Sequence, residues 1–421
     1  MTSKRNYPLL LAGQFLGAFG DNFLLKALLG PLTYQLLDHQ ITEQQVSALN
    51  SRFSAVFFVP FILLAPLAGW LNDRMPKTSW LFGGNLIKVI GTVIGLAGAL
   101  LHRSDFHASL AWQTIGYAVV GIGACVYSPA KYGILPEIVP PDRLVKANGT
   151  VEMLTLVAIV GGIGGGAALY DHVRSLPLVY VVSLLLYVAA LVLNGLMLRT
   201  PHNPAATLGH SLREFGGSLA SLVRHPRLGR ILLGSGLFWF AGSILRSNMQ
   251  GWGLEVFQTA GLAAESISNV KLNLLLLALT SGIVGGSLLA GQLHRVGDLR
   301  WTRRYGFFVA VGVAMLGLLG GRFGLVPAVA GLVVTGLFSG LLLVPLNAAL
   351  QHESDPTKLG KTIAIQNFTD YFAMLFGAGF LFALAQFGLA PTSVFVALAA
   401  TLAVIALALR TPALRSSVPS S

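Results

Sequence analysis

Charge is scarce in this sequence. Asp, Glu, Lys and Arg make up 10% of its 421 residues, against roughly 25% in soluble globular chains. With 54% hydrophobic residues beside that scarcity, water is excluded as the main solvent of the fold. Cysteine is nearly absent. Cys125 stands alone in an apolar run, which excludes an internal disulfide, leaves the redox compartment undetermined and reads as an inert structural thiol. Between Met1 and Tyr7 there is no small-residue cleavage site, so the first apolar segment is expected to stay in place rather than be removed as a signal peptide. Acids number 16 against 28 bases, a formal net charge of +12. That balance fits an acidic partner only if the cations cluster on one surface, so their positions decide its meaning.

What is abundant is apolar length and glycine. A bilayer-spanning helix needs about 20 mostly apolar residues. Twelve such stretches are legible, starting near Tyr7, Asn50, Ser79, Leu110, Leu144, Leu176, Gly229, Ser268, Thr302, Leu325, Lys361 and Pro391. The 49 glycines would weaken soluble helices, but in lipid small residues let helix backbones approach closely. The expected fold is an all-α polytopic membrane protein of 12 transmembrane helices.

With both termini placed in the cytoplasm, only Arg52, Arg103, Arg174 and Arg322 fall on the outer side. Lys26, Lys88, Lys131, Arg246 and Lys271 lie in or at the edge of the membrane, and the remaining Lys and Arg face inward. The positive-inside bias selects this orientation. It also accounts for the basic balance with no nucleic acid. Of the intramembrane ions, Lys26, Lys88, Lys271 and Glu255 stand nearer span ends and are expected to snorkel.

A polar interval from Arg199 to Arg230, with Pro201, Pro204 and Pro226, separates two groups of six spans. Residues 1–198 and 229–421 are therefore expected to be two six-helix halves joined by a cytoplasmic linker, 199–228. Internal duplication supports this. Pro129 to Lys146 and Pro345 to Lys361 each join a fourth span to a fifth, and each places Glu eight residues after the proline, Glu137 and Glu353, before a Pro and Asp turn and Leu-x-Lys. Proline near the inner end of a helix breaks the backbone ladder, so Pro129 and Pro345 are candidate gate bends.

After the second span the chain reads Gly69-Trp70-Leu71-Asn72-Asp73-Arg74-Met75-Pro76-Lys77. This resembles the G-x-L-x-D-R-x-G-R-R signature of the major facilitator superfamily, with Pro76 in place of the family glycine. The resemblance implies a two-half alternating-access transporter in which Gly69, Asp73, Arg74 and Lys77 act in gating without touching substrate. Gly69 permits close helix contact, while Asp73 and the cations can pair across the cytoplasmic seam. The equivalent stretch, Gly291-Gln292-Leu293-His294-Arg295, is degenerate, so only part of that charge pairing is expected there.

Polar residues inside the spans fall at helical spacing. Tyr7, Gln14 and Asp21 recur on one face, with Asn22 beside them; Asn148, Glu152 and Thr155 follow one stripe, and Thr362, Gln366, Thr369 and Asp370 another, next to Asn367. Ser243, Arg246 and Gln250 share a side. Ionisable groups at membrane depth are costly and usually face a bundle interior or wet cavity. Asp21, Glu152, Arg246 and Asp370 are thus expected either to hold a zwitterion, Arg on phosphate and carboxylate on ammonium, or to pair among themselves. Lys131, beside Tyr132, either meets anionic headgroups or anchors its helix.

Five segments together, QFLGAFGDN (Gln14 to Asn22), YSPAKYGIL (Tyr127 to Leu135), LVKANG (Leu144 to Gly149), VPLNAALQ (Val344 to Gln351) and AIQN (Ala364 to Asn367), resemble the bacterial lysophospholipid transporters. That resemblance implies inward flipping of lysophosphatidylethanolamine and related lysolipids across the inner membrane, with substrate-pathway roles for Asp21, Asn22, Lys131, Tyr132, Glu152, Arg246, Gln366, Asn367 and Asp370. It implies a separate acyltransferase partner, no cofactor and no metal, and a chain expected to work as a monomer. Lys26 and the run Ser247 to Glu255 are more polar than the family's usual sequence.

Two other functions compete with this one. A proton-coupled exporter of drugs or other amphiphiles suits the same fold and a titratable Asp21. A membrane acyltransferase does not, because no His stands before an Asp in the H-x4-D spacing that pairs a general base with its orienting acid. Nucleotide-binding glycine loops, metal clusters and nucleophile elbows are also missing from the sequence.

Overall fold

The computed structural model describes residues 2–37, 42–101, 105–205, 207–262, 269–319 and 324–410. Among them every long regular element is an α-helix: α1 (Thr2–Leu28), α2 (Gly30–Leu37), α3 (Glu43–Leu63), α4 (Ala65–Arg74), α5 (Lys77–Leu100), α6 (Phe106–Gly133), α7 (Leu135–Ile138), α8 (Leu144–Val173), α9 (Leu176–Gly195), α10 (Leu208–Arg224), α11 (Leu228–Thr259), α12 (Asn269–Leu293), α13 (Thr302–Leu319), α14 (Leu325–Glu353), α15 (Leu359–Gln386) and α16 (Pro391–Ala408). The expected span start near Ser268 and the cations Arg103 and Arg322 lie outside the described residues.

Nine of these helices are long and apolar enough to cross a membrane, or ten with α3 and α4 as one bent span. The remaining two expected spans are also helices. Asn6, Gln14, Asp21 and Asn22 interrupt the apolar run of α1, and α13 opens on Arg303 and Arg304, which shortens its apolar run. Twelve spans are compatible with this set.

The second span differs most from expectation. It starts seven residues early because Thr42 and Gln45 form a capping box, the Thr42 hydroxyl accepting from Gln45 N at 3.3 Å and the Gln45 side chain accepting from Thr42 N at 2.8 Å. It then breaks after Leu63, bending by 58° into α4. Pro60 and Pro66 flank that break, and each removes a backbone donor from the helical ladder. By contrast, α6 continues through Pro129 and α14 through Pro345 as single helices.

The chain gathers into two compact units. The first is Met1–Pro140, Leu154–Phe215 and Asp355–Phe368; the second is Pro141–Met153, Gly216–Ser354 and Thr369–Ser421. In the first, α5 lies directly on α6. A Cβ on Gly116 would stand 2.6 Å from the Gly91 carbonyl oxygen and 2.6 Å from Gly95 N, so only glycine allows that backbone contact. Its apolar interior is rich in tyrosine: Tyr117, Tyr180 and Tyr187 are all buried with Phe23, Leu24 and Phe53. In the second, α12 packs on α14, and Trp252 of α11 is fully buried against Phe395 of α16, ring centroids 5.4 Å apart. Large apolar side chains such as Leu185, Phe376 and Phe382 are exposed instead, which suits a lipid solvent.

Between Arg199 and Arg230 the polar interval holds a helix. In α10, Ser211 and Phe215 are buried while Leu212, Arg213, Val223 and Arg224 are exposed. Its apolar residues Leu208, Leu212, Phe215, Leu219 and Leu222 recur at spacings of three and four.

Candidate functional site

In the first unit the polar face of α1 meets four other helices. The Thr155 hydroxyl donates to Gln14 Oε1 at 3.0 Å. One turn series further on, Lys88 of α5 donates to Asp21 Oδ2 at 2.7 Å and Tyr187 of α9 donates to Asp21 Oδ1 at 2.8 Å. Tyr117 of α6 donates to the Asp21 carbonyl at 3.3 Å. The Lys88 ammonium also lies 5.4 Å and 5.5 Å from the ring centroids of Tyr127 and Tyr187, within reach of their negative faces. Lys88 does not snorkel. It is only 2% exposed, because it stands near the middle of α5, out of reach of either helix end.

Beside this pair, the amides of Asn85 and Asn194 both donate to the Leu81 carbonyl, at 3.2 Å and 3.3 Å. Their buried Oδ1 atoms meet no donor among the described residues, so the pocket around Lys88 is rich in acceptors. Asn22 turns back on its own helix, donating to the Ala18 carbonyl at 2.9 Å.

Glu152 and Asp370 both belong to the second unit. Both are buried, and Ser235 donates to Asp370 Oδ1 at 2.7 Å. The helix bearing Glu152 is fastened one turn earlier, where Asn148 and Gln351 exchange amide hydrogen bonds of 2.8 Å and 2.9 Å. Arg246 has a different setting. It is exposed on α11 with Ser247 and Gln250 and makes no ion pair among the described residues. In the first unit, Lys131 stacks over the Tyr132 ring at 4.3 Å, Asn367 donates to the Ser128 hydroxyl at 3.0 Å, and Gln366 is buried next to it.

The motif of Gly69 to Lys77 makes a compact lock in the first unit. Asp73 pairs with backbone rather than with a cation: its Oδ1 accepts from Gly360 N at 2.7 Å and its Oδ2 from Lys361 N at 3.1 Å. These are orphan donors of the first turn of α15, where a carboxylate also meets the positive helix end. Gly69 makes the approach possible, since a Cβ there would stand 2.9 Å from Lys361 Cα. Lys77 turns to Glu137 at 2.5 Å, burial pushing the Glu137 carboxyl up while Lys77 opposes that rise. Arg74 donates to the Pro204 carbonyl.

The second unit repeats the packing without the charge. A Cβ on Gly291 would stand 2.8 Å from Lys146 Cα, the counterpart of Gly69 on Lys361. Arg295, four residues after Gly291 as Asp73 is after Gly69, is a cation and offers no acceptor to the first turn of α8. Glu353 nonetheless has a partner. Arg227, just ahead of α11, grips it with two hydrogen bonds, Nε at 2.6 Å and Nη2 at 2.8 Å, and donates to the Gly297 carbonyl at 2.7 Å.

The sequence profile of the Major Facilitator Superfamily matches residues 10–378. Lysophospholipid transporter LplT of Photorhabdus laumondii is 32% identical over 380 residues, 89% of this chain and 87% of that protein. The protein of the same name from Klebsiella pneumoniae is 33% identical over 408 residues, covering 95% of this chain and 94% of its own length. The chain belongs to the lysophospholipid transporter family of the Major Facilitator Superfamily. Solved transporter structures share its fold. The human organic anion transporter TETRAN superposes with a TM-score of 0.75 at 16% identity, over 97% of this chain and all of that one. A bacterial homologue of the iron transporter ferroportin gives 0.71 at 14% identity, over 96% and 99%.

The buried ion pairs made by two side chains, Lys88 and Arg227, escaped sequence reasoning. Lys88 carries no motif; its signal was a lysine in the middle of an apolar, glycine-rich helix, the place least able to export its charge. Arg227 sits among several linker cations and is singled out only by the geometry that brings it to Glu353.

Proposed function

We propose that this chain is a lysophospholipid transporter that moves lysophosphatidylethanolamine and related lysolipids inward across the bacterial inner membrane by alternating access. The observation that carries the reading is the match to lysophospholipid transporters at 32% and 33% identity over about nine tenths of the chain. In this proposal residues 1–198 and 229–421 act as the two halves, joined by 199–228, with both termini cytoplasmic. A separate acyltransferase restores the second chain of the lipid, and the transporter works as a monomer. Asp21, Asn22, Lys131, Tyr132, Glu152, Arg246, Gln366, Asn367 and Asp370 line the substrate path, Arg246 taking phosphate and a carboxylate taking the ammonium. Gly69, Asp73, Arg74, Lys77, Pro129 and Pro345 govern opening.

The bundle chemistry supports a zwitterionic amphiphile: buried acids occur in both units, an arginine with no ion pair among the described residues is exposed on α11, and apolar side chains cover the lipid-facing surface. Uptake of radiolabelled lysophosphatidylethanolamine into spheroplasts, with and without the protein, tests it. Protein-dependent accumulation of the diacyl product is the expected result. Equal uptake in both, together with a change in whole-cell drug susceptibility, would transfer the assignment to an amphiphile exporter.

A further inference from the structure

The polar run Ser247 to Glu255 faces the ends of two other helices in the second unit. Asn248 donates to the Pro391 carbonyl at 2.8 Å, and the Trp252 indole donates to the Leu316 carbonyl at 3.1 Å. One face of α11 is thereby pinned to the start of α16 and the end of α13. Gly317 brings those two ends together, since a Cβ there would stand 2.8 Å from the Thr392 carbonyl oxygen. Beyond the pins the three helices part into a groove of about 470 Å³, lined by Glu255, Thr259, Thr392 and Ser393 with Leu318 and Val396 at its rim.

We infer that this groove is a binding site for the primary ammonium of a lipid headgroup, with Glu255 as the recognising group. The wall carries one carboxylate, of Glu255, and three hydroxyl groups, of Thr259, Thr392 and Ser393. Glu255 makes no ion pair among the described residues, and it is the only charged residue of the lining. Thr259 has committed its proton to the Glu255 carbonyl, 2.8 Å away, which leaves its lone pairs free to accept. A primary ammonium brings three donors and no acceptor, the complement of one carboxylate and two or three hydroxyl oxygens. A quaternary amine has no donor to give, and a glycerol headgroup has no charge to pair.

Depth argues for a headgroup. With 32 residues α11 is about 48 Å long at 1.5 Å per residue, longer than the roughly 30 Å hydrocarbon layer, so Glu255 near its end stands at headgroup level. Leu318 and Val396 are 56% and 39% exposed and offer an acyl chain an apolar flank beside the polar pocket. Glu255 and Arg246 are nine residues apart on one helix and face opposite ways, so the groove is separate from the Arg246 surface. The inference rests on the lysolipid reading: in the orientation proposed above, the groove opens to the outer leaflet and collects amine-bearing lysolipid before it reaches the interior.

Glu255→Gln keeps the shape and removes the charge. In vesicles reconstituted with the purified protein, the variant is expected to raise KM for lysophosphatidylethanolamine about tenfold, the loss of one charged contact, and to leave lysophosphatidylglycerol uptake unchanged. Preserved glycerol-headgroup uptake also shows that the variant folds. An equal loss on both lipids, or no change on either, overturns the inference. Calorimetric binding of short-chain lysophosphatidylethanolamine and of free ethanolamine to wild type and variant gives a readout independent of transport. Binding that weakens in the variant, even by a protein that transports neither lipid, upholds the groove while removing the proposed function; binding equal in both removes the groove. If free ethanolamine binds as the lipid does, the amine alone suffices. If only the lipid binds, the apolar rim is needed.

Discussion

The Lys88 ammonium and the Asp21 carboxylate lie 2.7 Å apart, their side chains 3% and 13% exposed. Two opposite charges so far from water are held by each other and by the Tyr187 hydroxyl at 2.8 Å. Removing one partner of a buried pair leaves a charge with nothing to compensate it, at a typical cost of 3–5 kcal/mol. Lys88→Met is therefore expected to lower the midpoint of thermal unfolding in detergent markedly. The double variant Asp21→Asn with Lys88→Met is expected to recover most of that loss, because no net charge is then left buried. A double variant less stable than Lys88→Met alone would show that the pair is not coupled.

Much of the fold was legible because lipid makes few demands on a sequence, and apolar length and charge placement answer most of them. The starts of α8, α9, α13, α14 and α16 were read to the residue. The break between α3 and α4 was missed because Pro60 and Pro66 act jointly, whereas Pro129 and Pro345, the candidate bends, each lie within a continuous helix. In the polar stripes each acid was visible, but not its partner. A stripe specifies a face, and whether that face meets Lys88 or Ser235 depends on packing between segments far apart in sequence.

Asp73 accepts from the first turn of α15 at 2.7 Å and 3.1 Å. Loss of a side-chain cap costs about 0.5–2 kcal/mol, enough to shift a two-state equilibrium several-fold. Asp73→Ala is expected to slow lysolipid uptake by a comparable factor while equilibrium binding of the lipid to purified protein stays within twofold. A binding signal lost along with transport would count against a gating role.

Gly69 and Gly291 each meet lysine backbone at a distance no side chain tolerates, 2.9 Å and 2.8 Å from a built Cβ to the Cα of Lys361 and Lys146. Backbone cannot rotate aside, and overpacking of this kind costs about 1–3 kcal/mol. Gly69→Val and Gly291→Val are expected to impair uptake to a similar degree despite the difference in charge around them. If Gly291→Val is silent while Gly69→Val is not, the contact matters only where Asp73 accompanies it.

Arg227 holds Glu353 through two nitrogens, at 2.6 Å and 2.8 Å, and Gly297 through Nη2 at 2.7 Å. Lysine has one nitrogen on a flexible stem and cannot reproduce that fork. Arg227→Lys is expected to keep the charge yet lower thermal stability by about 1–3 kcal/mol, the value of charge-assisted hydrogen bonds, with little change in KM. Denaturation curves of the purified protein, read beside uptake, separate this structural clamp from the substrate path.

Arg246 and Asp21 make opposite predictions although the proposed path includes both. Arg246 is exposed and has no ion pair among the described residues, so its removal strands no partner, and surface substitutions of that sort usually stay within about 0.5 kcal/mol. Arg246→Ala is expected to abolish lysolipid uptake with the unfolding midpoint unchanged. Asp21→Ala removes the counter-charge of buried Lys88 and is expected to lose both uptake and stability. The pattern separates two explanations that uptake alone confuses, since a transporter that fails by misfolding loses stability as well. Wild-type uptake in Arg246→Ala would remove the arginine from the phosphate role and leave the headgroup's anionic side to Lys131, the other cation of the proposed path.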